Sequence, residues 1–272
     1  MSHTFKGCRH PRGYMDEDPS VSINAIKRSY TIVDEICDRD RAGATELADA
    51  LGLPKSTVHN HLRTLATLGY LVEEDGTYRL GARYLHLGQK SRNSRAVFQH
   101  GRDAVEALAA QSGRYCQLAV EENGETVVIQ STRWVPDEGA RPAQQTYPMR
   151  AHLHTNAPGK ALLAHLPSER ITAVIDRTGL DSRTELTVTD EDDLRSELET
   201  IREQGYAVDR GELVSGMLGV AAPIATERTV HGAVAAYGAG HEMREALDEG
   251  LPDLVKETAD DIRADIVFDS LE

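Results

Sequence analysis

Between Leu53 and Gly81 the spacing of apolar residues changes period, and that change limits what the chain can fold into. Over "LPKSTVHNHLRTLATLG" the apolar residues recur at helical spacing. On a wheel of about 100° per residue, Leu62 and Leu65 fall within about 40° of Val58 and form one buried seam. Ser56, Asn60 and Arg63 lie about 140–160° away, and Thr57 and His59 flank them at about 100°. After Gly69 the text becomes extended, "YLVEEDGTYRLG", and Asp75-Gly76 is a two-residue hairpin turn. On the second strand Tyr78 and Leu80 share one face, and Thr77 and Arg79 the other. Pro54 suits the first turn of the helix.

Two helices precede this segment. In "INAIKRSYTIVDEICD", Ile23, Ile26, Tyr30, Val33 and Ile36 recur every three or four residues, which predicts an amphipathic helix. In "GATELADALGL", Thr45 is the expected N-cap, Leu47, Ala48 and Leu51 the apolar stripe, and Gly52 the stop. Three helices and a hairpin make a winged helix-turn-helix, whose third helix enters the major groove of DNA while the hairpin touches flanking backbone. On the exposed face Arg63 suits guanine, Asn60 suits adenine, and Ser56 and Thr57 suit phosphate oxygens. Together with His59 these would contact the DNA, with Lys55, Thr77 and Arg79 on phosphates.

Charge supports that reading. The 272 residues carry a formal net charge of -14, yet no Asp or Glu occurs from Ala50 to Val72, where about four are expected at the chain-average frequency. From Ala50 to Arg102 eight basic residues face three acids, whereas from Glu106 onward 31 acids face 15 bases. Acid depletion joined to basic enrichment marks a polyanion-facing module on an acidic body. Such a body stays hydrated and soluble in concentrated salt, so a halophilic setting is the favoured explanation of the balance.

Other features narrow the class. No apolar run approaches the roughly 18 residues needed to cross a bilayer, and the start lacks the apolar stretch of a secretory signal, so a cytoplasmic protein is expected. Cys8, Cys37 and Cys116 fit no disulfide or zinc spacing and read as incidental or buried thiols. His152 and His154 lack a third ligand and read as structural histidines; no metal or cofactor is expected. No nucleophile–base pair appears, so no catalytic residue is assigned and no enzyme is expected.

Residues 1–20 read as a disordered tail. Helices are expected from Tyr84 to Val97 and from Arg102 to Ser112. "YCQLAVEENGETVVIQST" reads as a hairpin around Asn123-Gly124, 133–145 as a loop and 147–155 as a strand. Asn156 before Pro158 starts a helix, and "TVTDEDDLRSELETIREQGY" is a helix stopped by Gly205. "YAVDR", "LGVAAPI" and "GAVAAYG" are short apolar strands, and a last helix runs from about Pro252 to Val267. The second part is therefore an α+β domain with a largely antiparallel sheet and flanking helices.

The order "INAIKRSYTIVDEI…ATELADALGLPKSTVHNHLRTLATLGYLVEEDGTYRLGARYLHLG", then "HLHTNAPGKALLAHLP", "LETIREQGYAVDRGEL" and "GVAAPI", resembles the IclR-type transcriptional regulators over about residues 21–268. The resemblance implies an α+β chain with a winged helix-turn-helix at 21–81, a linker helix at 82–98 and a GAF- or profilin-like effector-binding domain at 99–272. It implies double-stranded DNA, a small-molecule effector and a second copy of the chain, in a dimer or tetramer, as partners. It places the effector pocket at Asn156, Ala157 and Pro158, with Asp209 contributing. Gly219 stands where the family often has Cys, and Ala236 and Gly238 where it often has small hydroxyl residues. Lys160 is expected to be a solvated helix residue. Either the effector is less polar or larger than usual, or the pocket has lost its ligand. A different class stays open: a small-molecule-binding α+β protein whose helix-turn-helix serves assembly rather than DNA.

Overall fold

The computed structural model describes residues 22–132 and 148–271. The chain divides into two compact units, one ending at Ser91 and the other beginning at Arg92. The disordered-tail and 133–145 loop expectations lie outside the described residues.

In the first unit α1 (Asn24–Arg39), α2 (Ala44–Leu51) and α3 (Lys55–Thr67) enclose a core with the strands β1 (Ala42–Gly43), β2 (Leu71–Glu74) and β3 (Thr77–Leu80). The sheet order is β1-β3-β2, all antiparallel. Val58 and Leu62 are fully buried among Ile32, Ile36, Leu47 and Tyr78, and Leu65 packs at the edge of that cluster. Asp75 and Gly76 both take positive φ, 51° and 77°, which is the backbone that a two-residue hairpin with right-handed strand twist requires.

Three local expectations shift. Ile23, Ile26 and Tyr30 are 53–60% exposed, and Ile32 takes their place in the core. The seam of α1 is therefore confined to its second half, and the described residues of this unit leave its first turns uncovered. Gly43, not Thr45, caps α2; the Glu46 carboxylate accepts from the Gly43 N–H at 2.8 Å. β1, absent from the sequence reading, pairs Ala42 with Tyr78. Cys116 is free and buried, and burial pushes its thiol up to about 12. Cys8 lies outside the described residues.

α4 (Arg83–Asn93) leads across the division between the units. Its start is fixed to the wing: the Arg83 guanidinium sits 4.8 Å over the Tyr70 ring and donates to Leu68 O, and Tyr70 packs on Tyr84. The helix expected through Val97 ends at Asn93. α5 (Ala96–Ser112) then begins after Arg95, whose backbone is extended, so one break replaces the later one expected near Arg102.

The second unit is a six-stranded antiparallel sheet in the order β6-β5-β4-β9-β8-β7. Its strands are β4 (Tyr115–Glu122), β5 (Glu125–Ser131), β6 (Arg150–His152), β7 (Ala207–Asp209), β8 (Met217–Ala225) and β9 (Val230–Ala239). On one face α5, α9 (Gly240–Asp248) and α10 (Leu251–Asp269) bury Leu118, Val120, Val220, Val234 and Ala236. On the other, α6 (Ala157–Ala164), α7 (Ser168–Thr178) and α8 (Glu191–Gln204) bury Tyr115, Ala221, Ala233, Ala235 and Tyr237. The expected 147–155 strand is short, because the chain turns into a 3-10 helix at Leu153–Thr155 that feeds α6. α7 and α9 are additional to the sequence reading. His154 is buried with Nε2 3.1 Å from Asp181 O, and burial holds its pKa down at about 4.

Candidate nucleic-acid interface and effector site

In the first unit, burying the Val58–Leu62 seam turns the other side of α3 outward. Lys55, Ser56, His59, Asn60 and Arg63 are all exposed, and Thr57 is half-buried at the rim. Asn60 and Arg63 line an open depression of about 390 Å³ with Thr64, Thr67 and Leu68. The two histidines divide: His59 is exposed, whereas His61 reaches inward, Nδ1 2.8 Å from Ser29 Oγ on α1. No acidic residue and no side-chain cap occupies the first turn of α3, so the positive end of its backbone dipole is not offset by a carboxylate there.

The wing is less free than its composition implies. Arg79 donates to Glu74 Oε1 from Nε (3.0 Å) and Nη2 (2.6 Å), and Arg41 stands 3.7 Å from the same carboxylate. The Arg79 hydrogen bonds hold the Glu74 carboxyl below its usual range. Thr77 Oγ1 donates to Glu74 O at 2.8 Å. Both wing residues expected to meet phosphates are therefore engaged by the hairpin, and the Glu74 carboxylate competes with DNA for Arg79.

In the second unit the expected effector residues fall in two groups. Asn156 caps α6, its Oδ1 accepting from Gly159 N–H (2.8 Å) and from the Thr126 hydroxyl (3.1 Å). Ala157 and Pro158 follow, fully enclosed. Asp209 pairs in register with Gly219, and Gly219 with Tyr237, so the three form one cross-strand row on the α6 side. Asp209 Oδ1 accepts from Gly211 and Glu212 N–H at 2.9 and 2.8 Å. Burial nevertheless pushes its pKa up to about 6, outweighing those bonds.

Ala236 and Gly238 are corrections. Ala236 packs into the α5–α10 core, and a Cβ on Gly238 would meet Met243 and Arg114 on that same side. Successive residues of a strand point to opposite faces. The positions that face α6 are Ala235 and Tyr237.

Tyr237 explains the glycine across from it. A Cβ at Gly219 would lie 2.1 Å from Tyr237 Cε1, so only glycine admits the ring. The ring is fully buried and its hydroxyl accepts the Ala157 N–H at 3.2 Å, at the first residue of α6. A large residue within a run of Gly and Ala was the available signal.

Lys160 is the second correction. It is completely buried, with Nζ donating to Glu197 Oε1 (2.7 Å) and to both oxygens of Glu212 (2.8 and 2.7 Å). The ammonium thus ties α6 to α8 and to the segment after β7. Burial raises the pKa of Glu212, with Lys160 opposing the shift. The signal here was its setting, a single charge in "APGKALLA", where an all-round apolar helix has no wet face.

Residues 25–75 match the family model described as the IclR helix-turn-helix domain, and residues 89–264 that described as the bacterial transcriptional regulator IclR C-terminal. The probable HTH-type transcriptional regulator ArcR of Halobacterium salinarum is 30% identical over 245 residues, 87% of this chain and 91% of its own length. The glycerol operon regulatory protein of Streptomyces coelicolor is 34% identical over 252 residues, 89% and 95% of the two chains. Among solved structures, an IclR homolog from Microbacterium hydrocarbonoxydans complexed with 4-hydroxybenzoate superposes with a TM-score of 0.72 at 26% identity, covering 89% of this chain and 98% of that one.

Proposed function

The chain belongs to the IclR family of DNA-binding transcriptional regulators, and on that premise we propose that it reads a specific double-stranded operator through α3 and that a small organic molecule in the second unit modulates the binding. The observation that carries the DNA reading is the exposed, carboxylate-free face of α3 over a fully buried seam in an otherwise acidic chain. Ser56, Thr57, His59, Asn60 and Arg63 would contact bases and nearby phosphates, with Lys55, Thr77 and Arg79 on the flanking backbone. The working division is a DNA-binding domain at 21–81, a linker helix at 82–98 and an effector domain at 99–272.

Self-association is part of the proposal. Ile23 at the N-cap of α1, Ile26 and Tyr30 on that helix, and Leu85 and Leu87 on α4 are 42–64% exposed. Apolar surface of this kind marks an association face, and a dimer would present two α3 helices to half-sites about one turn apart. The 4-hydroxybenzoate bound by the Microbacterium relative supports a small organic effector. No helix among the described residues is long and apolar enough to cross a membrane; a regulator of transcription works with the DNA in the cytoplasm. The acidic body supports work in concentrated salt, where steering by phosphates is weak and base contacts and dimer geometry carry more of the specificity.

Selection of bound sequences from random duplexes, followed by gel shift of the selected and a scrambled site, tests the reading. A common motif with strong preference is expected. Equal affinity for both sites would refute it and favour an assembly role for the helix-turn-helix.

A further inference from the structure

The sheet face beneath α6 holds one polar side chain for which the described chain supplies no partner. Gln117 lies on β4, opposite Ala235 of β9 and Ser131 of β5. Its neighbours Cys116 and Leu118 belong to the core on the far face, so alternation directs Gln117 to the α6 side, with Ala235 and Tyr237. It is 0% exposed, and neither its Oε1 nor its Nε2 has a hydrogen-bond partner. A buried amide in that state costs folding stability and calls for a partner.

The anion-binding end of α6 is already served. Pro158 has no N–H, the Gly159 N–H is taken by Asn156 Oδ1, and the Ala157 N–H is taken by the Tyr237 hydroxyl. The carboxyl of Asp209 lies in the same cross-strand row as Tyr237. A carboxylate ligand would have to displace the phenol and approach Asp209. At Gln117 it would satisfy Nε2 and repel Oε1. A hydroxyl or a carboxamide both donates and accepts, and so satisfies both ends of the amide. Tyr115, opposite Tyr237, supplies a second ring on this face.

We propose that the effector site of this chain takes an uncharged molecule bearing a hydroxyl or carboxamide group, with Gln117 recognising that group and Tyr237 keeping small carboxylates from the start of α6. The proposal rests on the reading of the second unit as a sensor. It chooses the less polar effector over a larger one or a lost ligand.

Two measurements on the full chain test it. Without ligand, Gln117→Met removes the orphaned amide at nearly constant shape, and the melting temperature should rise by about 2–4 °C. A fall would mean that the amide is paired in the free protein, by water or by the chain, and would overturn the proposal. The second measurement follows thermal shift with millimolar acetamide, benzamide and benzyl alcohol against acetate and benzoate. At least one uncharged probe should stabilise the wild type but not Gln117→Met. The carboxylates should act only on Tyr237→Ser. A wild type that responds to benzoate as strongly as to benzamide refutes the selectivity. An uncharged probe acting equally on Gln117→Met, or none acting on the wild type, refutes the role of Gln117. Motif selection on the ligand-free wild type judges the regulator reading independently of all these outcomes.

Discussion

Replacing Gly219 by alanine tests the packing of Tyr237 most directly. The new Cβ would lie 2.1 Å from Cε1, 2.4 Å from Cδ1 and 2.5 Å from Cζ of the ring. Carbon atoms rest at about 3.5–4.0 Å, so the ring must retreat by more than an ångström. It has little room, being fully buried with its hydroxyl on the Ala157 N–H. Overpacking of a core costs about 1–3 kcal/mol, and the upper end is expected because both partners sit on paired strands. Tyr237→Ala alone should cost about 3–5 kcal/mol through its cavity and lost contacts. In that background Gly219→Ala meets no ring and should cost less than about 0.5 kcal/mol, so the two changes couple by about 2–3 kcal/mol. Urea unfolding of the four proteins, followed by circular dichroism and resolved for each compact unit, measures the cycle. Additivity within about 0.5 kcal/mol would show that the ring does not lie over Gly219.

Four further outcomes are expected. Lys160→Met leaves Glu197 and Glu212 facing each other without their cation and should cost about 3–5 kcal/mol near neutral pH; urea titrations should show part of the loss regained in acid, and a loss under about 1 kcal/mol would deny the buried network. Asp209 has a folded pKa of about 6 against about 3.9 unfolded, so the folded chain binds the extra proton between those values and its stability falls as pH rises through that window. Asp209→Asn keeps the Oδ1 acceptor and should remove that slope, roughly 3 kcal/mol across the window, in urea titrations from acid to neutral pH. Arg63→Ala should weaken operator binding about tenfold or more while sedimentation shows the oligomer unchanged; unaltered affinity removes Arg63 from the interface. Glu74→Ala releases Arg79 and deletes a negative charge from the wing, so gel shifts should show tighter DNA binding with a steeper salt dependence, and weaker binding would show that the pair positions the hairpin.

Where the sequence was legible, the determinants are local. The buried seam of α3, the Asp75–Gly76 and Asn123–Gly124 turns, and the Asn156 cap each depend on a helical period or on residues a few positions apart. Those signals act before distant parts of the chain meet, so they specify a winged helix-turn-helix and an α+β body on their own. α1 shows the limit of a period: Ile26 and Tyr30 fit the stripe as well as Val33 does, but the described part of the unit covers only the second half of the helix.

The tertiary structure decided which residues face α6. β9 is covered by helices on both faces, so apolar and small residues fill both sides of "GAVAAYG" and no alternation marks which side faces α6. Only the pairing of β9 with β8 and β4 places Ala235, Tyr237, Gly219 and Gln117 together and sends Ala236 and Gly238 elsewhere. Lys160 is decided in the same way, because its two carboxylates lie 37 and 52 residues away. The sequence by itself determined the third helix and its wing. Which side chains share the sheet face under α6, and which charges can be buried beside it, follow from contacts between segments that no local pattern encodes.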